Sequence, residues 1–363
     1  MTAFTATAPA RANLIGEHTD YAPNGGYVLP TPLRFHTAVT LEPFGSAGQF
    51  SFVSEKYPGE REERRITEPA RGGHWTDYIL GVLHVASQKV DIPGLKISVV
   101  SDVPIGCGIS SSAALCVAVT RAIKAMTGAA WDDVEIALIA YAAEHDYVDV
   151  PCGKMDQFAS SVGRSGQALL LNTRTLAFRN VPVPPGVAMM LVDSGKRHDL
   201  AKGDGHKKRI DRMNECIEAR DELRVGTLCE LGYADLPRLS SLRPVVAKRA
   251  RHVITENLRV LEMVNALEKG DMEAQADLIA ASHRSQRDDF ECSTPEIDAL
   301  VETSIRFGVR GARICGGGFG GAIIALVPFD QTGAWWRFVS EHNPKAKLIS
   351  TYAVNNAKNE HAL

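Results

Sequence analysis

The chain has 363 residues, 45% hydrophobic and 23% charged, the balance of a soluble globular protein with length for two domains. Forty basic against 43 acidic side chains leave a net charge of −3, which points away from nucleic acid and anionic membranes as partners. Seven scattered cysteines with no C-x-x-C spacing argue against a disulfide framework or cysteine metal cluster, and for a reducing cytoplasm.

The opening residues, MTAFTATAPARAN, carry neither the basic lead nor the apolar core of a secretory leader, and no apolar run reaches membrane-spanning length. Ala8–Tyr21 sets Arg11, Glu17, His18 and Asp20 around Leu14-Ile15, and Gly16 breaks the run, so a strand ending in a loop is expected. The Glu17–His18–Asp20 group reads as a solvated turn, a weak metal site, or a cluster that pairs with sugar hydroxyls. Asn24–Pro30 reads as a turn and then a strand. Residues 34–66 alternate with period two as in a hairpin-rich sheet, with Glu60–Arg65 as an exposed connection. Trp75–Val85 has helical spacing; Trp75 and Tyr78 form its core face or flank an adenine ring.

A strand over Leu95–Val100 then leads into the central stretch, SDVPIGCGISSSAA, and a buried helix follows from Ala113 to Met126. Pro104, Gly106 and Gly108 make the turn, and three serines open the helix. Close backbone approach and unpaired helical N–H groups suit an oligophosphate; a Gly turn with a serine cap is the plainer reading. The stretch lacks the Gly-Lys-Ser/Thr ending of the common mononucleotide loop and the third glycine of the dinucleotide fingerprint.

Asp132 and Glu135 open the next helix as a capping box, which Pro151 and Gly153 close. Glu144 sits late on it, where the dipole disfavours a carboxylate, so either a nearby cation or exposure to water is expected. Asp156 follows twelve residues later in CGKMDQFAS. Strands are expected at 167–171 and 187–193, then a charged helix over 205–224 whose basic cluster His206–Arg212 faces solvent. A loop-rich piece runs to Pro244, and helices follow over 245–269 and 272–288. Arg313–Val327 places a second glycine-rich loop between two strands, with more glycine than a tight hairpin needs. There is no internal repeat.

Together these stretches resemble the GHMP family of small-molecule kinases. Arg11–Tyr21 is similar to the signature R-x-N-L-I-G-E-H-T-D-Y, Pro104–Ala113 to P-x-G-x-G-x-S-S-S-A, and Gly316–Gly321 to G-G-G-F-G-G. Agreement over Trp75–Gly81, Glu144-His145, PCGKMDQFAS and Arg284–Phe290 extends the likeness over most of the chain. The resemblance implies an α+β fold of two domains, 1–175 and 176–363, with the active site between them, and phosphorylation of galactose at O1. It implies Asp156 as general base and Arg11 as its partner, with Glu17, His18, Asp20 and Gly153 as sugar contacts. Ser112 and Glu144 would hold Mg2+. Pro104, Gly106, Cys107, Gly108, Ser110 and Ser111 would wrap the ATP phosphates, with Trp75 and Tyr78 near the adenine. The partners implied are the sugar and ATP alone, for a monomer.

Three positions depart from the family pattern. Ala10 replaces a glycine, residues 200–216 lack the family's sugar-binding tyrosine, and Lys154 replaces an aliphatic residue. Lys154 would suit a C6 carboxylate, so a sibling kinase acting on galacturonate or arabinose is one alternative. A sugar sensor without catalysis is the other, though Ser110–Ala113, Asp156 and Arg11 are all present.

Overall fold

A computed structural model describes residues 2–20, 25–67, 70, 74–183, 186–196 and 203–353. The elements in chain order are β1 (Phe4–Asn13), β2 (Tyr27–Val28), β3 (Pro30–Pro43), β4 (Gln49–Ser54), β5 (Arg61–Arg65), α1 (Trp75–Ser87), β6 (Leu95–Ser101), α2 (Ser111–Thr127) and α3 (Asp133–Ala142). After a π-helical turn, Ala143–Tyr147, come α4 (Met155–Val162), β7 (Gln167–Asn172), β8 (Phe178–Pro182), β9 (Val187–Asp193), α5 (Gly203–Leu223), α6 (Pro244–Lys269) and α7 (Met272–Asp288). The chain closes with α8 (Pro295–Phe307), β10 (Ala312–Cys315), β11 (Ala322–Pro328), α9 (Thr332–His342) and β12 (Lys347–Ala353). No helix among the described residues is long and apolar enough to cross a membrane.

The chain forms two compact α+β units that interleave in sequence. The first takes the described parts of Met1–Arg11, Pro32–Ile105 and Ile109–Gly163; the second takes those of Ala12–Thr31, Gly106–Gly108 and Arg164–Leu363. The segment after Arg11 and the three residues Gly106–Gly108 thus group with the C-terminal part of the chain. No shift in composition marks either crossing.

In the first unit, a five-stranded sheet has the order β1-β3-β6-β4-β5. Its inner face buries Val39, Leu41, Phe50, Phe52 and Ile97 against Leu80, Leu83, Val117 and Ile136 of the helices. Strand β6 lies between β3, antiparallel to it, and β4, parallel to it. Only β4 and β5 make the hairpin expected throughout 34–66, because β6 takes the edge of β3 that a second hairpin would need. Glu60–Arg65 likewise departs from an exposed connection. Arg64 on β5 is buried, and its Nη1 donates to Asp77 Oδ1 at 2.6 Å and Thr76 Oγ1 at 3.1 Å at the start of α1.

The second unit carries the antiparallel sheet β10-β11-β9-β12 and the small sheet β2-β7-β8. Met190, Val192, Ile314 and Ile323 pack under Leu300 and Trp335 of α8 and α9. A separate helical core gathers Cys216, Ala250, Val253, Ile254 and Phe290.

Candidate active site

In the first unit the polar centre is built at the ends of β1, α2 and α4. Arg11 is buried near the end of β1, and a guanidinium taken from water must be paired. Its Nε and Nη2 donate to Asp156 Oδ1 and Oδ2, both at 2.8 Å, the two-point geometry that a planar guanidinium gives a carboxylate. Asp156 lies in the first turn of α4, where the helix dipole favours negative charge. Ser110 Oγ donates to Asp156 Oδ2 at 2.5 Å. Ser110 precedes α2 at φ 60° and forms no cap hydrogen bond. The plain reading of a serine cap therefore fails here; the hydroxyl goes to Asp156. The Arg11 N–H also donates to the Ile109 carbonyl at 3.2 Å, tying β1 to the loop before α2.

Glu144 sits on the π-helical turn, a feature frequent at functional sites. Exposure to water does not explain its place, for it is only 6% exposed. Ser112 Oγ donates to its Oε1 at 2.7 Å and Gln157 Nε2 to its Oε2 at 2.9 Å. Burial pushes the carboxyl up to about 7, with the Asp156 charge adding to the rise and the Ser112 and Gln157 bonds opposing it. A buried carboxylate bonded only to neutral donors, beside a hydroxyl oxygen, is a fitting donor set for a hard cation. Among the described residues no group of three or more His, Cys, Asp or Glu side chains is arranged to hold a metal by itself.

Trp75 and Tyr78 open α1 and are half-buried against the sheet core. Trp75 stacks on Tyr57 at 5.7 Å with 11° between planes, and its indole N–H is buried without a partner. Burial pushes the Tyr78 phenol well above its ordinary value. Gly153 is buried three residues before Asp156. In the central loop Pro104, Ser110, Ser111 and Ser112 are half-buried, and Ile105 is exposed.

In the second unit the loop after β1 is organised by Glu17 and Arg313. Arg313 is fully buried and donates to the carbonyls of Leu14 at 3.0 Å, Ile314 at 2.8 Å and Asn13 at 2.5 Å. Its Nη2 also lies 2.7 Å from Glu17 Oε2. Asn13 Nδ2 donates to the same Glu17 oxygen at 2.8 Å, and the Gly316 N–H to Oε1 at 2.9 Å. Burial pushes Glu17 up to about 6 against the pull of Arg313, which leaves it ionised at neutral pH.

In the second loop Gly316, Gly318, Gly320 and Gly321 take positive φ, and Gly318 is also held by close approach. A Cβ on Gly318 would sit 2.7 Å from Cys292 Cβ, and one on Gly316 would sit 3.4 Å from the Gly108 carbonyl. Both glycine-rich stretches thus come together at Gly316 and Gly108. Gly106 is exposed; Cys107 and Gly108 are half-buried.

His18 takes φ 66° and stacks on Phe290 at 4.0 Å, with Cys292 Sγ 3.6 Å from its Nε2. Burial, helped by the nearby His252, holds its pKa well below 6.5, so the ring is neutral. His252 lies beneath, its Nε2 3.3 Å from the Glu17 carbonyl and its Nδ1 3.0 Å from Ser285 Oγ. Asp20 is half-buried in the same loop.

Arg313, Asn13 and Gln157 carry these arrangements, and sequence reasoning gave none of them a role. The available signal was a charged or amide side chain inside an otherwise apolar or motif-bearing run. The basic cluster on α5 is not a uniformly solvated face. Lys207 and Lys208 are exposed, but Arg212 is half-buried and its Nε donates to the Phe290 carbonyl at 2.7 Å. Residues 200–202 and the side chain of His206, in the stretch lacking the tyrosine, lie outside the described residues, as do Tyr21 and Asn24. Lys154 Nζ lies 5.0 Å from the Tyr141 ring centre, a cation–π contact.

The family model "GHMP kinases N terminal domain" matches residues 77–164, "GHMP kinases C terminal" matches 263–345, and "Galactokinase galactose-binding signature" matches 2–43. The galactokinase of Mycobacterium bovis (strain BCG / Pasteur 1173P2) is 41% identical over 329 residues, 89% of each chain. That of Haemophilus influenzae (strain PittEE) is 36% identical over 368 residues, 98% of this chain and 93% of the relative. The crystal structure of Lactococcus lactis galactokinase complexed with galactose superposes with a TM-score of 0.89 at 29% identity, covering 97% of this chain and 94% of that one. A mevalonate kinase from L. major shares the fold, with a TM-score of 0.66 at 20% identity over 96% of this chain and 95% of that one.

Proposed function

The chain belongs to the GHMP kinase family, in its galactokinase branch, and is an ATP-dependent sugar kinase; from that premise we propose that it transfers the γ-phosphoryl group of ATP to the O1 hydroxyl of galactose. The observation that carries this reading is the two-point ion pair of Arg11 and Asp156 beside the Ser112–Glu144 pair. Phosphoryl transfer asks chiefly for in-line positioning and neutralised charge, and these residues supply both kinds of group.

In this reaction Asp156 accepts the O1 proton as the O1–phosphorus bond forms and the bond to the ADP oxygen breaks. Arg11 keeps the carboxylate oriented and steadies the negative charge that develops at O1. Ser112 and Glu144 are the residues that would hold Mg2+, which when bound would neutralise charge on the phosphates. The backbone of Pro104, Gly106, Cys107, Gly108 and Ser111 is assigned to the phosphate chain, and Trp75 and Tyr78 to the adenine. Glu17, His18, Asp20 and Gly153 are assigned to the sugar. The bonds of Glu17 to Asn13, Arg313 and Gly316 also support a framework part: they fix the loop that offers the other hydroxyl partners. Seven scattered cysteines with no C-x-x-C spacing support a reducing, cytoplasmic setting.

A coupled ADP-release assay with Mg-ATP against galactose, galacturonate, arabinose, N-acetylgalactosamine and glucose tests the proposal. Galactose turned over best supports it. Galacturonate or arabinose turned over best replaces it with a sibling specificity, and binding of ATP and galactose with no ADP release replaces it with a sensor.

A further inference from the structure

The family resemblance gives Ser110 to the ATP phosphates, yet in this structure its hydroxyl is committed elsewhere. A carboxylate offers about four acceptor positions, two on each oxygen. On Asp156, Oδ2 takes Arg11 Nη2 at 2.8 Å and Ser110 Oγ at 2.5 Å, whereas Oδ1 takes Arg11 Nε alone at 2.8 Å. Both positions on Oδ2 are therefore filled and one on Oδ1 is open.

Two costs accompany that single bond. Serine is among the best N-cap residues, but Ser110 forms no cap bond on α2. Its φ of 60° is one that a residue with a Cβ rarely adopts. Strain of this kind gathers where a side chain must be aimed.

We propose that Ser110 is a positioning residue for Asp156: it occupies Oδ2 and so assigns Oδ1 as the atom that receives the substrate proton. The inference rests on the reading of Asp156 as the base. The O1 proton passes to Oδ1, which becomes a neutral acid, while Ser110 and Arg11 Nη2 continue to donate to Oδ2. The electron pair left on O1 forms the new bond to phosphorus as the bond from phosphorus to the ADP oxygen breaks and ADP leaves with that bond's pair. No redox change is involved.

The test compares Ser110→Ala, Ser110→Gly, Asp156→Asn and the double variant Ser110→Ala/Asp156→Asn, reading kcat, both KM values and the Kd of ATP without sugar. A hydrogen bond to a charged group is worth roughly 10- to 100-fold, so kcat is expected to fall by that factor in both Ser110 variants. ATP Kd and ATP KM should stay within about twofold, since the lost hydroxyl serves Asp156. Glycine is at ease at this φ, so an equal loss in Ser110→Gly, with its melting temperature kept, assigns the effect to the hydroxyl and not to misfolding. In the Asp156→Asn background the Ser110 change should cost nothing further. A loss carried by ATP KM, or one that multiplies in the double variant, would overturn the inference. An inactive Asp156→Asn beside a fully active Ser110→Ala overturns this inference alone; a fully active Asp156→Asn overturns the base reading with it.

Discussion

Arg11 and Asp156, 145 residues apart, meet through two parallel hydrogen bonds of 2.8 Å, one to each carboxylate oxygen. The pair forms because β1 ends and α4 begins in the same unit, so a strand-end guanidinium faces a first-turn carboxylate. Asparagine at position 156 keeps the shape but cannot accept the O1 proton. A positioned base contributes about 10²–10⁴-fold, so Asp156→Asn should lose turnover by at least that order while ATP still binds, measured by single-turnover kinetics beside ATP titration.

The Ser112–Glu144 pair gives a metal-dependence prediction. Glu144→Gln removes the buried charge, so the Mg2+ concentration for half-maximal turnover should rise about tenfold or more. Chelation with EDTA should abolish turnover and leave the melting temperature of the nucleotide-free protein unchanged, because the two residues assigned to the ion, Ser112 and Glu144, are too few to bind it tightly without phosphate.

Gly81 on α1 is where the π-helical turn rests. A Cβ there would lie 2.8 Å from the Ala143 carbonyl oxygen and 3.1 Å from Tyr147 Cδ1. Gly81→Ala must therefore displace the turn that carries Glu144, at a cost of about 1–3 kcal/mol. Urea unfolding should show a lower midpoint, and the Mg2+ requirement should rise in the same variant.

The Glu17–Arg313 pair is buried, and breaking one side strands the other. Arg313→Met should cost about 3–5 kcal/mol by urea unfolding. Adding Glu17→Gln should recover part of that loss, since the stranded charge is then gone. A double variant no more stable than Arg313→Met would contradict the pairing argument.

His252 supplies a pH dependence with a definite sign. Burial holds it down to about 4 from an ordinary 6.5, so the unfolded chain binds its proton first as pH falls. The stability it preserves is complete above pH 6.5 and is lost as pH drops toward 4. Relative to His252→Gln, the wild-type chain should lose roughly 2 kcal/mol between pH 6.5 and 5. Unfolding both proteins across that range checks it; parallel pH curves would refute it.

Local chemistry made much of this legible. Helical spacing marks α1, α2, α6 and α7, and the Asp132 cap is present, its side chain accepting from the Glu135 N–H at 2.8 Å. The three glycine- and carboxylate-bearing stretches mark the regions that hold the polar clusters. Long-range pairing was not legible. Nothing in residues 34–66 shows that β6 separates β3 from β4, and nothing beside Arg64 announces that its partner is Asp77 on α1. Glu144 read equally well as solvated or charge-compensated, because burial depends on what packs over the π turn. Ser110 read as part of a phosphate-binding or serine-capped turn, because local propensity favours both, and only the approach of α4 shows the hydroxyl turned to Asp156.

The central claim is a phosphoryl transfer to one hydroxyl of one sugar, and the product reports it directly. The enzyme would be incubated with Mg-ATP and galactose, and the sugar phosphate examined by ³¹P and ¹H NMR. The account predicts a phosphate coupled to the anomeric proton, formed together with ADP. A phosphate on any other carbon, or ADP released with no phosphorylated galactose, would contradict it.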